Sequence, residues 1–375
     1  MKNILFIVFE FSISNCDYTS GIAKKIYGQC ECLKKSGFNV TFFNPYEKNI
    51  KKKSFRIIRR MPLFGYLNHW DIKNLDITDY EYIYIRKPWF MDVDTVLFLS
   101  KVKKVNEKIK VIMEIPTYPY DYEIENKSLL PLLFKDKVYR KILYRYVDRV
   151  VTYSNDDSIW GIKTLKIHNG VALDEKLTEI EETEDNIIHI IAVSNLAFWH
   201  GYDRAVKGLY QYYQTGGKRN FVLHIVGDGG ERKKLEALAD NYGLCGHIIF
   251  YGRKNKDELE TIYKRCKVGF DSLGRFRTKI TYNSSLKSKE YLFKGLLIIT
   301  AVDSELDNYE NLYFYHKVPA KEIPIDFYEV EQFYDSIYPR EDEMAFRRGI
   351  IEFGEKNFRF EKVMEPVVDY ITSCE

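Results

Sequence analysis

The sequence predicts an α/β protein made of two Rossmann-like, doubly wound parallel-sheet domains in tandem. Three observations carry this. Short apolar runs alternate with amphipathic stretches, which is the pattern of strands buried on both faces by crossover helices. That series occurs twice, on either side of an acidic, aperiodic segment "EKLTEIEETEDN". A length of 375 residues also exceeds what one hydrophobic core usually organises.

In order, the first series reads "ILFIVF" as a strand, "GIAKKIYGQCECLKKSG" as a helix, and then "NVTFF", "YEYIYIR", "KVIMEI" and "DRVVTYS" as strands. The polar stretch near residues 172 to 187 reads as a linker, so the expected domains are 1–180 and 181–355. The second series runs "IIHIIAVS", the helix "DRAVKGLYQYYQTGG", "NFVLHIVGDGG", the helix "ERKKLEALADNYGL", "HIIFYG", the helix "KDELETIYKRC", "VGFDSL", the helix around "SSLKSKEYLFKG", and "LLIITA". The last segment reads as two helices, and 356–375 is expected to pack back on the first domain. Tandem doubly wound sheets bind ligands at the carboxyl ends of their strands, here in a common cleft.

Charge and cysteine usage narrow the function class. With 57 basic against 54 acidic side chains the net charge is +3, too small for a nucleic-acid protein, so an electrostatic partner must be recognised locally. The six cysteines form no CxxC pair and no zinc-type spacing with histidine, which reads as reduced thiols in a cytoplasmic protein and predicts no metal centre. Glu10 interrupts the first apolar run, which fits a buried strand better than a signal peptide. No apolar segment reaches the roughly 18 residues of a spanning helix.

Candidate site residues gather at expected strand ends. Gly21 lies between the first strand and first helix, where backbone can approach a ligand, although a plain turn is equally economical. "EIPTYPYDYE" crowds Glu114, Thr117, Tyr118 and Asp121 after a strand, the polar and aromatic mixture that carbohydrate recognition uses and that a surface loop also shows. "YIYIRKPW" places Arg86 and Lys87 at another strand end. In the second series His200 follows the first strand, placed to donate to a phosphate beside a helix N-terminus. The plain alternative has Asp203 capping that helix. "HIVGDGGERKKLEAL" has a nucleotide-site outline but carries Arg232 where the dinucleotide fingerprint needs its third glycine, which disfavours an oxidoreductase. Arg275, Arg277, Lys279 and Lys287 surround a helix start at Ser284 or Ser285, where lysine opposes the helix dipole unless an anion compensates it. Glu290 falls three residues after Lys287, on the same helical face. Finally, "NIKKKSFRIIRRMPLFGYL" interleaves Lys52, Lys53, Arg56, Arg59 and Arg60 with apolar residues, as an element on an anionic membrane surface would.

Taken together, "TSGIAKKIYGQCECLKKSGFNVTFF", "EIPTYPYDYE", "VVTYSND", "KTLKIHNGV", "LHIVGDGGERKKLEALA", "IIFYGRKNKDELETIYKRCKVGFDSL" and "SLKSKEYLFKG" resemble, in order and spacing, the retaining GT-B-fold glycosyltransferases of the family-4 type, especially bacterial capsular and exopolysaccharide enzymes. The resemblance covers nearly the whole chain. It implies a GT-B fold and sugar transfer from a nucleotide-sugar, a UDP- or GDP-sugar, used as substrate with no cofactor. The implied acceptor is a glycan or an undecaprenyl-diphosphate-linked glycan at the inner face of the plasma membrane.

The resemblance also implies roles. Glu290 would bond the donor ribose, Lys287 and the helix start at Ser285 would face the diphosphate, Gly252 and Arg253 would form the base-binding loop, and Gly21 would match the glycine loop near the donor phosphate. The loop from Asn195 to His200 and Gly201 would also face the donor. Two positions depart from the family pattern. Tyr282 stands where members carry a glutamate for the transferred sugar, and Asn195 and His200 stand where they carry arginine and lysine. Arg275, Arg277 and Lys279 are expected to replace those phosphate cations. The departures also motivate a second expectation, a catalytically silent sugar-nucleotide or glycan-binding partner subunit.

Overall fold

The computed structural model describes residues 1–9, 21–44, 76–124, 126–171, 187–338 and 342–373. The chain forms two compact units, Met1–His168 with Val363–Glu375, and Asn169–Lys362. The boundary expected after residue 180 lies outside the described residues, as do Lys52, Lys53, Arg56, Arg59 and Arg60.

The first unit contains β1 (Asn3–Ile7), α1 (Gly21–Lys35), β2 (Asn39–Phe43), β3 (Tyr82–Arg86), α2 (Val93–Val105), β4 (Lys110–Ile115), α3 (Leu130–Tyr139), β5 (Arg149–Thr152), β6 (Ser158–Ile159) and β7 (Ile162–Lys166). Among the described residues its sheet has the order β2-β1-β3-β4-β5-β7-β6, parallel except for the short β6–β7 pair. Every residue of β3 is buried, as are all of β4 except its first, which is why these strands read as near-continuous apolar runs, with Arg86 and Glu114 as buried charges. Asp92 caps α2 and completes a capping box with Thr95. At the end of the chain, Tyr82 donates from its hydroxyl to the Ile371 carbonyl and Lys2 donates to the same oxygen, so the closing segment is held by the first unit.

The second unit contains β8 (Ile187–Val193), α4 (Tyr202–Gln214), β9 (Asn220–Val226), α5 (Arg232–Asn241), β10 (Ile248–Gly252), α6 (Lys256–Tyr263), β11 (Val268–Phe270), α7 (Leu286–Phe293), β12 (Leu297–Thr300), β13 (Tyr315–Lys317), α8 (Phe327–Asp335), α9 (Glu343–Phe358) and α10 (Phe360–Val363, whose last residue falls in the first unit). The chain closes with α11 (Glu365–Ser373) in the first unit. Among the described residues the second sheet is wholly parallel, in the order β10-β9-β8-β11-β12-β13. The direction of winding reverses between β8 and β11. The carboxyl ends of those two strands therefore form the topological switch point, which is where open α/β sheets bind ligands.

Candidate functional site

The loops after β8 and β11 are fastened to each other through backbone. Residues Phe198–His200 make a single tight turn, and Gly201 follows at φ +69°, capping α4 in place of Asp203. A Cβ on Gly201 would stand 2.6 Å from the Gly274 nitrogen, so only glycine permits this approach. The Leu273 N–H donates to the His200 carbonyl at 2.8 Å. Buried Arg204 of α4 then ties the same loop to its surroundings, donating to the carbonyls of Leu273, Ile323 and Pro319.

The glycine turn after β9 closes the near side. Gly227 has φ +124°, and a Cβ there would lie 1.8 Å from the Ser194 carbonyl. Its N–H donates to the Gly252 carbonyl at 2.8 Å, and Leu196 donates to the Asp228 carbonyl at 2.9 Å. Gly227 and Gly229 of "GDGG" thus serve a close backbone crossing, which brings the expected donor residues Asn195 and Gly252 next to one turn. Asn195 and Arg253 are exposed.

At the far side, Ser285 is the N-cap of α7. Its hydroxyl oxygen accepts from the Lys287 N–H at 3.2 Å and donates to Asp271 at 2.7 Å. The Lys287 ammonium lies 3.2 Å from the same Asp271 carboxylate and 3.3 Å from the Ser272 hydroxyl, with its side chain 15% exposed. Burial, opposed by Asp271 and reinforced by Arg275, lowers the Lys287 pKa from the ordinary lysine value. Glu290, three residues on, is half-buried. Lys289 turns the other way, fully buried, into a pair with Glu305, and Glu305 also accepts from Ser284 at 3.0 Å. Two buried carboxylates, Asp271 and Glu305, therefore fix the start of this helix. Its body is fixed by Tyr291, which accepts from the Val193 N–H and donates to the Phe270 carbonyl, both at 3.1 Å.

His200 sits beside these cations. Its ring is 7% exposed, and its Nδ1 accepts from the Ala197 N–H at 3.2 Å. Burial, with Lys287 and Arg275 adding repulsion, drives its pKa well below the usual imidazole value. The ring is therefore neutral with its proton on Nε2, a donor and not a charge. Arg275 stands over the Trp199 ring at 5.8 Å. His200, Gly201, Arg275, Ser285 and Lys287 all belong to the two loops and the helix start at the switch point. What they offer is an anion-binding surface: a helix N-terminus, two cations and a neutral N–H donor.

Three expected site residues are engaged within the fold. Arg277 forms a fork onto Asp203 at 2.8 and 3.0 Å, pairs with Glu322, and donates to the Phe198 carbonyl. Its charge is spent within the fold. Glu114, expected to meet an acceptor, is 0% exposed and is bonded by Arg86, Tyr84 and Gln29, with Lys25 at 3.6 Å. Burial alone would raise its pKa, but Lys25 and Arg86 outweigh it and hold the carboxyl at about 2. Asp121 is gripped by Arg140 at 2.7 and 3.0 Å, with Lys137 at 3.5 Å. Of the same loop, Thr117 and Tyr118 remain partly exposed, with Tyr118 edge-on to Trp160. Gly21 opens α1, and the loop before it lies outside the described residues.

Sequence reasoning missed Asp271, Ser272, Arg204 and Tyr291. A carboxylate directly after the buried run "VGF" was the available signal for Asp271.

Residues 174–270 match the family model "Glycosyl transferases group 1". No curated protein matches the sequence significantly. Among solved structures, the chain is similar to a glycosyltransferase from Rickettsia africae (TM-score 0.66, 14% identity, covering 100% of this chain and 99% of that one). It is also similar to the Anabaena protein HepE in complex with UDP-glucose (TM-score 0.62, 12% identity, 100% of both chains). A third likeness is to the lipopolysaccharide outer core galactosyltransferase WaaB (TM-score 0.60, 15% identity, 99% of both). The fold of this chain is therefore the two-sheet GT-B fold of glycosyltransferases, and its second sheet carries the segment that matches their group 1 model.

Proposed function

We propose that the protein is a glycosyltransferase that moves a hexose-type sugar from a nucleotide-sugar, a UDP- or GDP-sugar, to a lipid-linked glycan in surface polysaccharide synthesis, with retention of anomeric configuration. The observation that carries this is the convergence of Lys287, Arg275, the His200 N–H and the Ser285-capped start of α7 at the switch point of the second sheet. That surface suits a diphosphate leaving group. The UDP-glucose complex of HepE supports the donor class, and the lipopolysaccharide outer core in WaaB's name supports the acceptor class.

In this reading, Lys287, Arg275 and the helix amides neutralise the charge that grows on the departing diphosphate, without a metal. One diphosphate oxygen accepts the acceptor hydroxyl proton on the same face as the new bond. Glu290 holds the donor ribose, Gly252 and Arg253 lie at the base, and Thr117 and Tyr118 lie on the acceptor side. Pre-arranged electrostatics supply the rate, since Asp271 and Glu305 fix the cation and the helix before any donor arrives.

The test is a thermal-shift panel of UDP-, GDP- and ADP-sugars followed by transfer assays, on wild type, Glu290→Ala and Lys287→Ala. One nucleotide class is expected to raise the melting temperature, less so in Glu290→Ala. Lys287→Ala is expected to retain its fold and lose transfer by about 10²–10³-fold. Stabilisation by no sugar nucleotide would sink the proposal. Donor binding without hydrolysis or transfer would instead favour a silent binding partner, a reading that Tyr282 and the neutralised Arg277 keep open.

A further inference from the structure

We infer that the exposed face of α3 and the turn after it is a docking surface for an anionic lipid bilayer. One side of this segment belongs to the core: Leu132, Leu133, Asp136 and Leu143 are buried. On the opposite side Leu130, Phe134 and Val138 recur every four residues at 50, 60 and 47% exposure, and Tyr144 follows at 53%. Single exposed apolar residues need no explanation, but a helical stripe of them with two aromatics does.

Charge identifies the partner. Lys127, Lys141 and Arg145 flank the stripe, as does Lys137, which also reaches Asp121 at 3.5 Å. Between residues 126 and 146 the sole acidic side chain is Asp136, which is 0% exposed. A basic rim around an apolar and aromatic stripe is the composition of an element lying in a headgroup layer. A second copy is a poor occupant, because a two-fold contact would set this basic rim against itself. A nucleic acid would leave the aliphatic side chains without a role.

The helix is anchored from its core side. Asp136 accepts from the Met91 N–H at 2.8 Å and lies 3.6 Å from Lys87, which fastens the buried face of α3 to the loop after β3 and leaves the Leu130, Phe134 and Val138 stripe outward. This surface is separate in sequence from the cations between Lys52 and Arg60.

The inference deepens the lipid-linked acceptor reading and rests on it for its purpose. Its test is separable: vesicle binding is measured without donor, and donor binding without lipid. The full chain is sedimented with vesicles of phosphatidylcholine, with and without phosphatidylglycerol. Binding is expected on the anionic vesicles, weakened by salt, and reduced at least about tenfold by Phe134→Asp with Val138→Asp and separately by Lys127→Glu with Lys141→Glu. Melting temperatures of both variants should match wild type. The inference is overturned if wild type does not sediment, or if it binds neutral vesicles equally. It is likewise overturned if both variants bind as wild type, with loss only in Lys52→Glu with Lys53→Glu. A dimer in sedimentation velocity that Phe134→Asp dissolves would reassign the face to a second copy.

Discussion

Glu114 in the first unit and Lys287 in the second both stand where an α/β sheet presents residues to a ligand, yet their surroundings differ. Glu114 is the penultimate residue of β4, in its buried stretch, and Lys25, Arg86, Tyr84 and Gln29 use up its oxygens. Lys287 leans on one carboxylate, remains 15% exposed, and has the Ser285-capped first turn of α7 beside it. Position at a strand end therefore does not make a residue functional. What distinguishes the two is the remaining capacity for a partner: a saturated carboxylate holds the fold, while a cation with one carboxylate and an open side can still take an anion.

The comparison breaks most readily at Glu114. In Glu114→Ala two buried cations lose their shared carboxylate, and a loss of about 3–5 kcal/mol is expected in urea unfolding. A loss under about 1 kcal/mol would remove the structural reading and return the residue to the candidate site.

Buried histidine sharpens it from the other side. His224 is 3% exposed, with Nε2 2.9 Å from His189 and Nδ1 2.9 Å from the Tyr251 hydroxyl. Burial, reinforced by His189 and Arg265, lowers its pKa from 6.5 to about 4. Between these values the unfolded chain binds the proton and the folded chain does not, so stability falls as pH falls from about 6.5 to 4, and is unaffected by this group above that range. The cost at pH 4 is on the order of 2–3 kcal/mol. Unfolding measured at about pH 7.5 and about pH 4 should show a smaller difference in His224→Gln than in wild type. Equal differences would mean that His224 takes its proton in the folded state.

Arg277 should show the smallest effect. Its partners Asp203 and Glu322 are partly exposed, so Arg277→Ala is expected to cost about 1 kcal/mol and to leave donor affinity within about twofold. A tenfold loss of donor affinity would restore it as a phosphate cation and weaken the distinction drawn above.

The architecture was legible in the sequence for a plain reason. Strands such as "YIYIR" and "LIIT" are covered on both faces, so burial leaves a near-continuous apolar run, and the Ser285 cap is a local hydrogen bond that short spacing reveals. The short strand β13, three residues at the sheet edge with no buried position, left no such run. Glu114 and Arg277 misled because their partners come from elsewhere: Lys25 and Gln29 from α1, Arg86 from β3, Asp203 from α4, and Glu322 from 45 residues away.

The sequence by itself determined two tandem parallel sheets, a capped helix with lysine and glutamate on one face, and a glycine turn after β9. These follow from burial periodicity and contacts within a few residues. Only the tertiary structure decided that Asp271 holds Lys287, that His200 is a neutral donor, that the "GDGG" turn serves a backbone crossing against Ser194, and that Glu114, Asp121 and Arg277 are already paired. A charge's availability depends on which opposite charge the fold brings within about 4 Å, and that neighbour is set by packing over long separations along the chain.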